Sequence, residues 1–261
     1  MHYDLSDQYI PRSSVVHQLD PRVKVVATLA YIFSVGITPE GVWWAFCVQF
    51  AYLLIVILIA DINFLYTIRR SFIIVPFVLA ALAVPFTTPG LEWIRIPGLE
   101  WTITQEGLIR LGSILLRAWL AVQAAILLSA TTPVPDMFWA LSALRFPKSL
   151  VATIRFMYRY LFVLADEASR MLRARAARSP RIKGATRPSM IWQGKVAGSM
   201  VGSLFLRSIE RSERIYDAML SRGYDGQMRS LIRFEMRNSD WIFIFSAGLC
   251  LGLVQVFAYL G

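Results

Sequence analysis

Residues 149–179 read SLVATIRFMYRYLFVLADEASRMLRARAARS, a run without proline or glycine, and residues 190–221 read MIWQGKVAGSMVGSLFLRSIERSERIYDAMLS. The first run predicts one helix of roughly 45 Å at 1.5 Å per residue. Lys148, Arg155, Arg159, Asp166 and Arg170 recur at steps of seven and four, against an apolar set of Leu150, Ile154, Phe156, Met157, Leu161, Phe162 and Leu164. Such a helix is amphipathic at its start and polar at its end. The second run repeats the design, apolar over 196–206 and charged over 207–217, and Gly223, Asp225 and Gly226 end it. Between the two, Pro180, Gly184 and Pro188 turn the chain.

The likeness extends to the helix ends. Aligning 168–179 (ASRMLRARAARS) with 212–223 (SERIYDAMLSRG) matches Arg170 to Arg214, Ala174 to Ala218 and Arg178 to Arg222. Steps of four set Arg, Ala and Arg along one helical ridge, and the small Ala lets a partner approach between two guanidinium groups. Two such tips suggest a matched pair of partners. Arginines that served only as topology determinants or lipid-headgroup contacts would not need that order.

Composition decides what surrounds these helices. With 56% hydrophobic residues, eight Trp, sixteen Phe and a mean hydropathy of +0.53, the chain is too apolar for a soluble domain of its length and reads as an all-α integral membrane protein. Asp20 and Pro21 mark a helix start, with Asp at the N-cap and Pro where a missing N–H costs nothing. Spans are expected at about 23–38, 42–60 (with Trp43 and Trp44 as interfacial anchors), 71–88, 107–130 and 241–260. Thr38-Pro39-Glu40-Gly41 forms the first turn, Pro76 and Pro85 kink the third span, and 89–104 is read as an extracytoplasmic loop at the interface. Arg110 and Arg117 make the fourth span less purely apolar. A short helix over about 136–145 ends near Pro147.

Charge orients the chain. Residues 145–237 hold 19 of the 27 Lys and Arg and only 7 of the 17 Asp and Glu. The positive-inside bias places this region, with Arg69 and Arg70, in the cytoplasm, and Glu92, Glu100 and Glu106 outside. The expected organisation is four N-terminal spans in 1–130, cytoplasmic helices with two arginine docking tips in 131–239, and a C-terminal span in 240–261. Residues 1–22 are polar and carry no short cleavable signal, so the N-terminus is expected to be retained, inside. The expected location is the inner (plasma) membrane, crossed about five times, with a sixth crossing only if 190–206 dips into the bilayer; Lys195 and its neighbours favour an in-plane position.

Chemistry is sparse. There is no phosphate loop ending in Lys-Ser/Thr, no Gly-x-Ser-x-Gly elbow, and His2 and His17 lie too far apart for a helical metal pair. Asp20 and Asp136 read as helix caps, Asp166 and Glu167 as solvated face charges, and Cys47 and Cys250 as small buried hydrophobes. The basic region lacks an aromatic-rich recognition motif, so no nucleic-acid partner is expected. Gln49 and an isolated Gln123 are the main polar groups in the spans besides the two arginines, few for a self-contained permease. Neither a catalytic residue nor a cofactor or metal site is expected on this chain.

Over nearly its whole length the sequence resembles the transmembrane coupling component (T-component) of energy-coupling factor transporters, most closely the CbiQ type that serves cobalt uptake. His17-Gln18-Leu19-Asp20-Pro21-Arg22-Val23-Lys24 is similar to the family's N-terminal signature, and Thr131-Thr132-Pro133 with Leu144-Arg145-Phe146-Pro147 to its central segment. Arg155-Phe156-Met157-Tyr158-Arg159-Tyr160 leads into the long coupling helix as it does there. Ala177-Arg178-Ser179 and Ser221-Arg222-Gly223 resemble the family's two Ala-Arg-Ser/Gly motifs, the second with Ser where Ala is common. The resemblance implies that Arg178 and Arg222 enter grooves on two ATP-binding-cassette (ABC) ATPase subunits, which hold ATP and Mg. It also implies a substrate-binding membrane subunit as a further partner, CbiM-like or another S-component, so that this chain is a non-catalytic coupling subunit. Nickel and vitamin systems use related subunits.

Overall fold

A computed structural model of the chain describes residues 9–89, 92–95, 102–178, 189–226 and 234–260. It is a helical membrane protein of two compact units, one formed by Met1–Leu144 with Ile232–Gly261 and the other by Arg145–Leu231.

The first unit begins with a single helical turn, α1 (Val15–Gln18), followed by α2 (Pro21–Ile37). Asp20 caps α2 as its sequence predicts, accepting the Arg22 N–H at 2.8 Å, with Pro21 in the first turn. α3 (Trp43–Ile59) follows. The third predicted span is a broken rod: α4 (Phe64–Arg70), a 3-10 turn (Ser71–Ile74), α5 (Val75–Ala81) and α6 (Val84–Thr87). Pro76 and Pro85 stand in the first turns of α5 and α6, where the absent N–H interrupts the i to i−4 ladder. The helical run also starts before the expected residue 71 and carries Arg69 and Arg70 within it.

Within the predicted loop, β1 (Glu92–Arg95) and β2 (Thr102–Thr104) pair antiparallel. Thr104 then caps α7 (Gln105–Thr131), its hydroxyl accepting the Gly107 N–H at 3.2 Å. A Cβ on Gly107 would meet the Pro85 Cα at 2.7 Å, so glycine here lets α7 lie against α6. α8 (Val134–Ala143) belongs to this unit; Pro133 is at its N-cap, and Asp136 sits in the first turn instead of capping it, where the helix dipole favours a carboxylate. α11 (Asn238–Leu260) closes the unit.

Helix α2 is central, packing against α7, α8 and α11. Tyr31, Val35, Phe46, Ile57, Leu120 and Leu251 fill the core, while Phe33, Ile73 and Phe245 are more than two-thirds exposed. An apolar exterior of this kind is suited to lipid. Cys47 lies on that exterior, exposed rather than buried, because α3 is apolar on all sides and only one face reaches the core; Cys250 is half-buried. The segments Phe64–Thr87, Gln105–Thr131 and Asn238–Leu260 are long and apolar enough to cross a bilayer. α2 and α3, at 17 residues each, stand at the short limit of the range.

The second unit contains α9 (Lys148–Arg178) and α10 (Met190–Leu220), each of 31 residues. Their bounds follow the two sequence runs closely, because neither run contains a proline, and α10 continues through Gly194, Gly198 and Gly202.

Candidate docking unit

α9 and α10 lie antiparallel. Near the end of α9 the Arg175 guanidinium sits 5.9 Å from the Trp192 ring at the start of α10. At the other end, Thr153 and Phe156 of α9 share a groove with Met219 and Tyr224. Arg178 and Arg222 therefore occupy opposite ends of the pair, separated by about thirty helical residues or roughly 45 Å. Ala174, Ala177, Arg178, Arg214, Ala218, Ser221, Arg222 and Gly223 are all exposed. Ser179 and Arg187 lie outside the described residues.

The second tip has a defined backbone. The Tyr224 N–H donates to the Met219 carbonyl at 3.0 Å and the Gly223 N–H to the Leu220 carbonyl at 2.9 Å, with Gly223 at φ +78°. This is the six-to-one and five-to-two pattern of a Schellman end, and Tyr224 and Met219 line one groove, as the motif's accompanying apolar contact requires. Gly223 thus ends α10 with Arg222 at its extremity. A cation there also faces the negative end of the helix dipole.

At mid-length the sequence reading needs correction. Glu167 is no solvated face charge: its side chain is 18% exposed and takes 2.6 Å and 2.9 Å contacts from Arg170 and from Arg207 of α10. These two arginines hold the Glu167 carboxyl below the usual carboxylate range. Arg170, expected on the docking ridge, is thereby engaged within the unit.

Two of the grooves between the helices reveal an internal symmetry. Arg178 and Arg222 stand 44 positions apart. Moving 44 positions on from Phe156, Met157 and Tyr160 of the first groove gives Met200, Val201 and Leu204, which line the second; moving 44 back from Ile215, Tyr216 and Met219 gives Met171, Leu172 and Arg175, which line it too. The repeat seen at the tips therefore runs the length of both helices, as a pseudo-two-fold relation. The grooves differ in size, about 540 Å³ for the aromatic one and about 190 Å³ for the other.

In the first unit, Arg110 and Arg117 grip the turn after α2. Arg117 Nη2 donates to the Thr38 carbonyl at 2.6 Å, and Arg110 pairs with Glu40 at 3.4 Å. The Thr38 hydroxyl accepts from Gln49 at 2.9 Å and from Gln255 at 3.1 Å, and Gln255 also donates to the Ser34 carbonyl. Gln123, which looks isolated in the sequence, donates to the Ser71 hydroxyl at 2.7 Å. Polar convergence within the apolar helices is thus greater than the sequence suggests. Its partners come from distant positions, and the one local hint is that Ser34 and Thr38 stand four apart at the end of α2. Ser34, Thr38, Gln49, Ser71 and Gln123 are buried, Thr38 and Gln49 nearly completely, and Gln255 is half-buried. His17 hydrogen-bonds to the Ser14 hydroxyl and the Ile10 carbonyl, and burial lowers its pKa.

Comparison with known proteins places these features. The family model for the cobalt transport protein CbiQ matches residues 12–231. The chain belongs to this family. It is 28% identical over 259 residues to the energy-coupling factor transporter transmembrane protein EcfT of Clostridium kluyveri, covering 93% of this chain and 91% of the relative. An uncharacterized protein of Methanocaldococcus jannaschii is 27% identical over 256 residues, 96% of this chain and 85% of that one. The cobalt transport protein CbiQ of Rhodobacter capsulatus is 27% identical over 129 residues, about half of each chain. The family is a membrane component of transporters, and the match spans both units of the fold.

Proposed function

We propose that this protein is the transmembrane coupling subunit of an ATP-driven energy-coupling factor importer. The observation that carries this reading is the antiparallel α9–α10 pair with a like arginine tip at each far end, in a chain of this family. Two ABC ATPases that close on ATP and open after hydrolysis would move the two docked tips, and stiff helices would carry the displacement. Ala177, Arg178 and Ser179 form one docking tip and Ser221, Arg222 and Gly223 the other. Ala174, Arg214 and Ala218 shape their approaches, with Arg170 bracing the first from within the unit. ATP and Mg belong to the ATPases, and this chain binds no cofactor.

The apolar faces, including Leu150, Ile154, Met157, Leu161, Met200, Leu204 and Leu206, would hold a substrate-binding membrane subunit. The protein would sit in the plasma membrane with five crossings and both termini placed by the positive-inside bias. Cobalt is the favoured substrate, with nickel or a vitamin such as biotin as alternatives, since specificity would reside in the other membrane subunit. The Ser34, Thr38, Gln49 and Gln255 cluster is the polar convergence a self-contained permease would need, but its amide N–H groups are taken up by the Ser34 and Thr38 oxygens, leaving only the Gln49 and Gln255 Oε1 atoms without a partner.

The test is to purify the tagged protein from native membranes in mild detergent and identify the co-eluting chains. A charge-assisted arginine bond in a desolvated groove is worth about 1.5–3 kcal/mol, so Arg178→Ala or Arg222→Ala is expected to weaken ATPase binding about ten- to a hundredfold. Arg187→Ala, in the connecting turn, should change it little. Equal effects from all three would sink specific docking.

A further inference from the structure

The chain leaves the first unit after Leu144 and returns to it by residue 232, and the elements flanking both crossings are fastened to the same place. On the outgoing side, the Arg22 guanidinium from the first turn of α2 lies 4.3 Å over the Trp139 ring of α8. On the returning side, Phe234 packs edge-on against that same ring, with centroids 4.8 Å apart. Six residues later, Asp240 accepts the Asp20 N–H at 2.9 Å and the Arg237 N–H at 2.7 Å, so that one carboxylate ties the start of α11 to the start of α2. Asp20 and Asp240 are 3% and 2% exposed.

The first turn of α2 is also fixed to its neighbours. Lys24 Nζ donates to the carbonyls of His17 and of Thr131, the last residue of α7. Directly after Leu144, Arg145 holds φ +64°, a left-handed conformation that restricts how the chain can bend there. We infer that Arg22, Trp139, Phe234 and the Asp20–Asp240 link form the mechanical joint that delivers displacement of the coupling helices to α2, and through Lys24 to α7. This inference rests on the coupling role proposed above. Both chain crossings converge on one helical turn, and α2 packs against three other helices of the bundle, so a pull on either crossing acts on the element best placed to spread it. The cation–π contact and the aromatic pair are each modest, but together they couple two segments far apart in sequence.

The test separates the joint from docking and from folding. Wild type, Arg22→Ala, Trp139→Ala, the conservative Arg22→Lys and Trp139→Phe, and Arg145→Gly, which leaves every contact above in place, are each purified with the co-eluting ATPases and set in lipid nanodiscs. Three quantities are read: ATPase retention, ATP hydrolysis, and the rate at which N-ethylmaleimide alkylates Cys250 of α11, followed by peptide mass spectrometry with ATP against ADP. Expected is a nucleotide-dependent Cys250 rate in wild type that is lost in both Ala variants while the ATPases stay bound and active. The conservative variants should restore it, and Arg145→Gly should weaken it. The joint is overturned if the Ala variants keep the difference, if wild type shows none, or if the Ala variants shed the ATPases, which would make the cluster a support for docking. Absence of ATPases from the wild-type preparation refutes the coupling role itself.

Discussion

Replacing Gly223 with alanine should damage the second tip without removing any side-chain contact. A Cβ built on Gly223 meets nothing within 4 Å, yet the residue holds φ +78°, so the cost is purely one of backbone conformation. An L-residue in the left-handed region costs about 1–2 kcal/mol, which lowers the population of the capped end about five- to thirtyfold. The first readout is hydrogen exchange at the Tyr224 amide, which donates to Met219 across the motif; it should speed up by that factor, while amides in the middle of α10 are unchanged.

The second readout is the affinity of the partner ATPase, which should weaken by up to the same factor because Arg222 is no longer held at the helix extremity. Gly226 supplies the control: it too has positive φ, +82°, and open space around a built Cβ, but it lies beyond the tip. Gly223→Asn should recover part of the loss, since asparagine tolerates this conformation better than alanine. Faster exchange with unchanged affinity would refute the claim that the Schellman end presents Arg222. Equal affinity losses from Gly223→Ala and Gly226→Ala would do so as well.

Glu167→Gln should loosen the centre of the helix pair, and a double-mutant cycle with Arg207→Ala should show coupling that neither single change contains. Because the folded Glu167 carboxyl has a lowered pKa, its pairing stabilises above the unfolded value near 4.5 and is lost as pH falls through the folded value; thermal unfolding of wild type against Glu167→Gln from pH 7 to pH 3 measures this, and parallel curves would count against the pairing. In the membrane unit, Gln49→Leu should cost about 0.6 kcal/mol and at most about 1.7, the range for hydrogen bonds between membrane helices, read as a lowered melting temperature in detergent. Arg117→Met acts on the same residue, Thr38, so the two changes together should not add.

Much of this architecture is legible before any coordinates, because local rules decide it. The absence of Pro and Gly in 149–178 fixes a long helix, Asp20-Pro21 fixes where α2 starts, and Pro76 and Pro85 fix where the third rod breaks. The two arginine-bearing helix ends are legible for a different reason, since a repeated spacing survives in one dimension. What is hidden depends on partners remote in sequence. Glu167 looks like any exposed helical carboxylate until α10 folds back and brings Arg207 beside it. Gln123 looks like an isolated polar residue until Ser71 faces it, and Arg110 and Arg117 look like blemishes in a span until the turn at Thr38 and Glu40 receives them. The joint at Arg22, Trp139 and Asp240 draws on three distant segments, so no window of sequence contains it.

The 44-residue relation bears on how partners can be arranged. A helical hairpin is antiparallel by construction, so two like helices joined in sequence carry their C-terminal ends to opposite extremities and present like tips about a two-fold axis. Such a pair fits two partners related by the same axis, as two ATPases that close on each other would be. The grooves break that symmetry. Tyr160, Ile215 and Tyr216 on one side correspond to Leu204, Met171 and Leu172 on the other, and the aromatic groove is the larger by about 540 to 190 Å³. A surface with equal ends and unequal flanks can receive two like subunits at its tips while offering a single different subunit one preferred seat. Helix stability and membrane topology alone do not call for like ends with unlike flanks, whereas the three-partner assembly proposed above does.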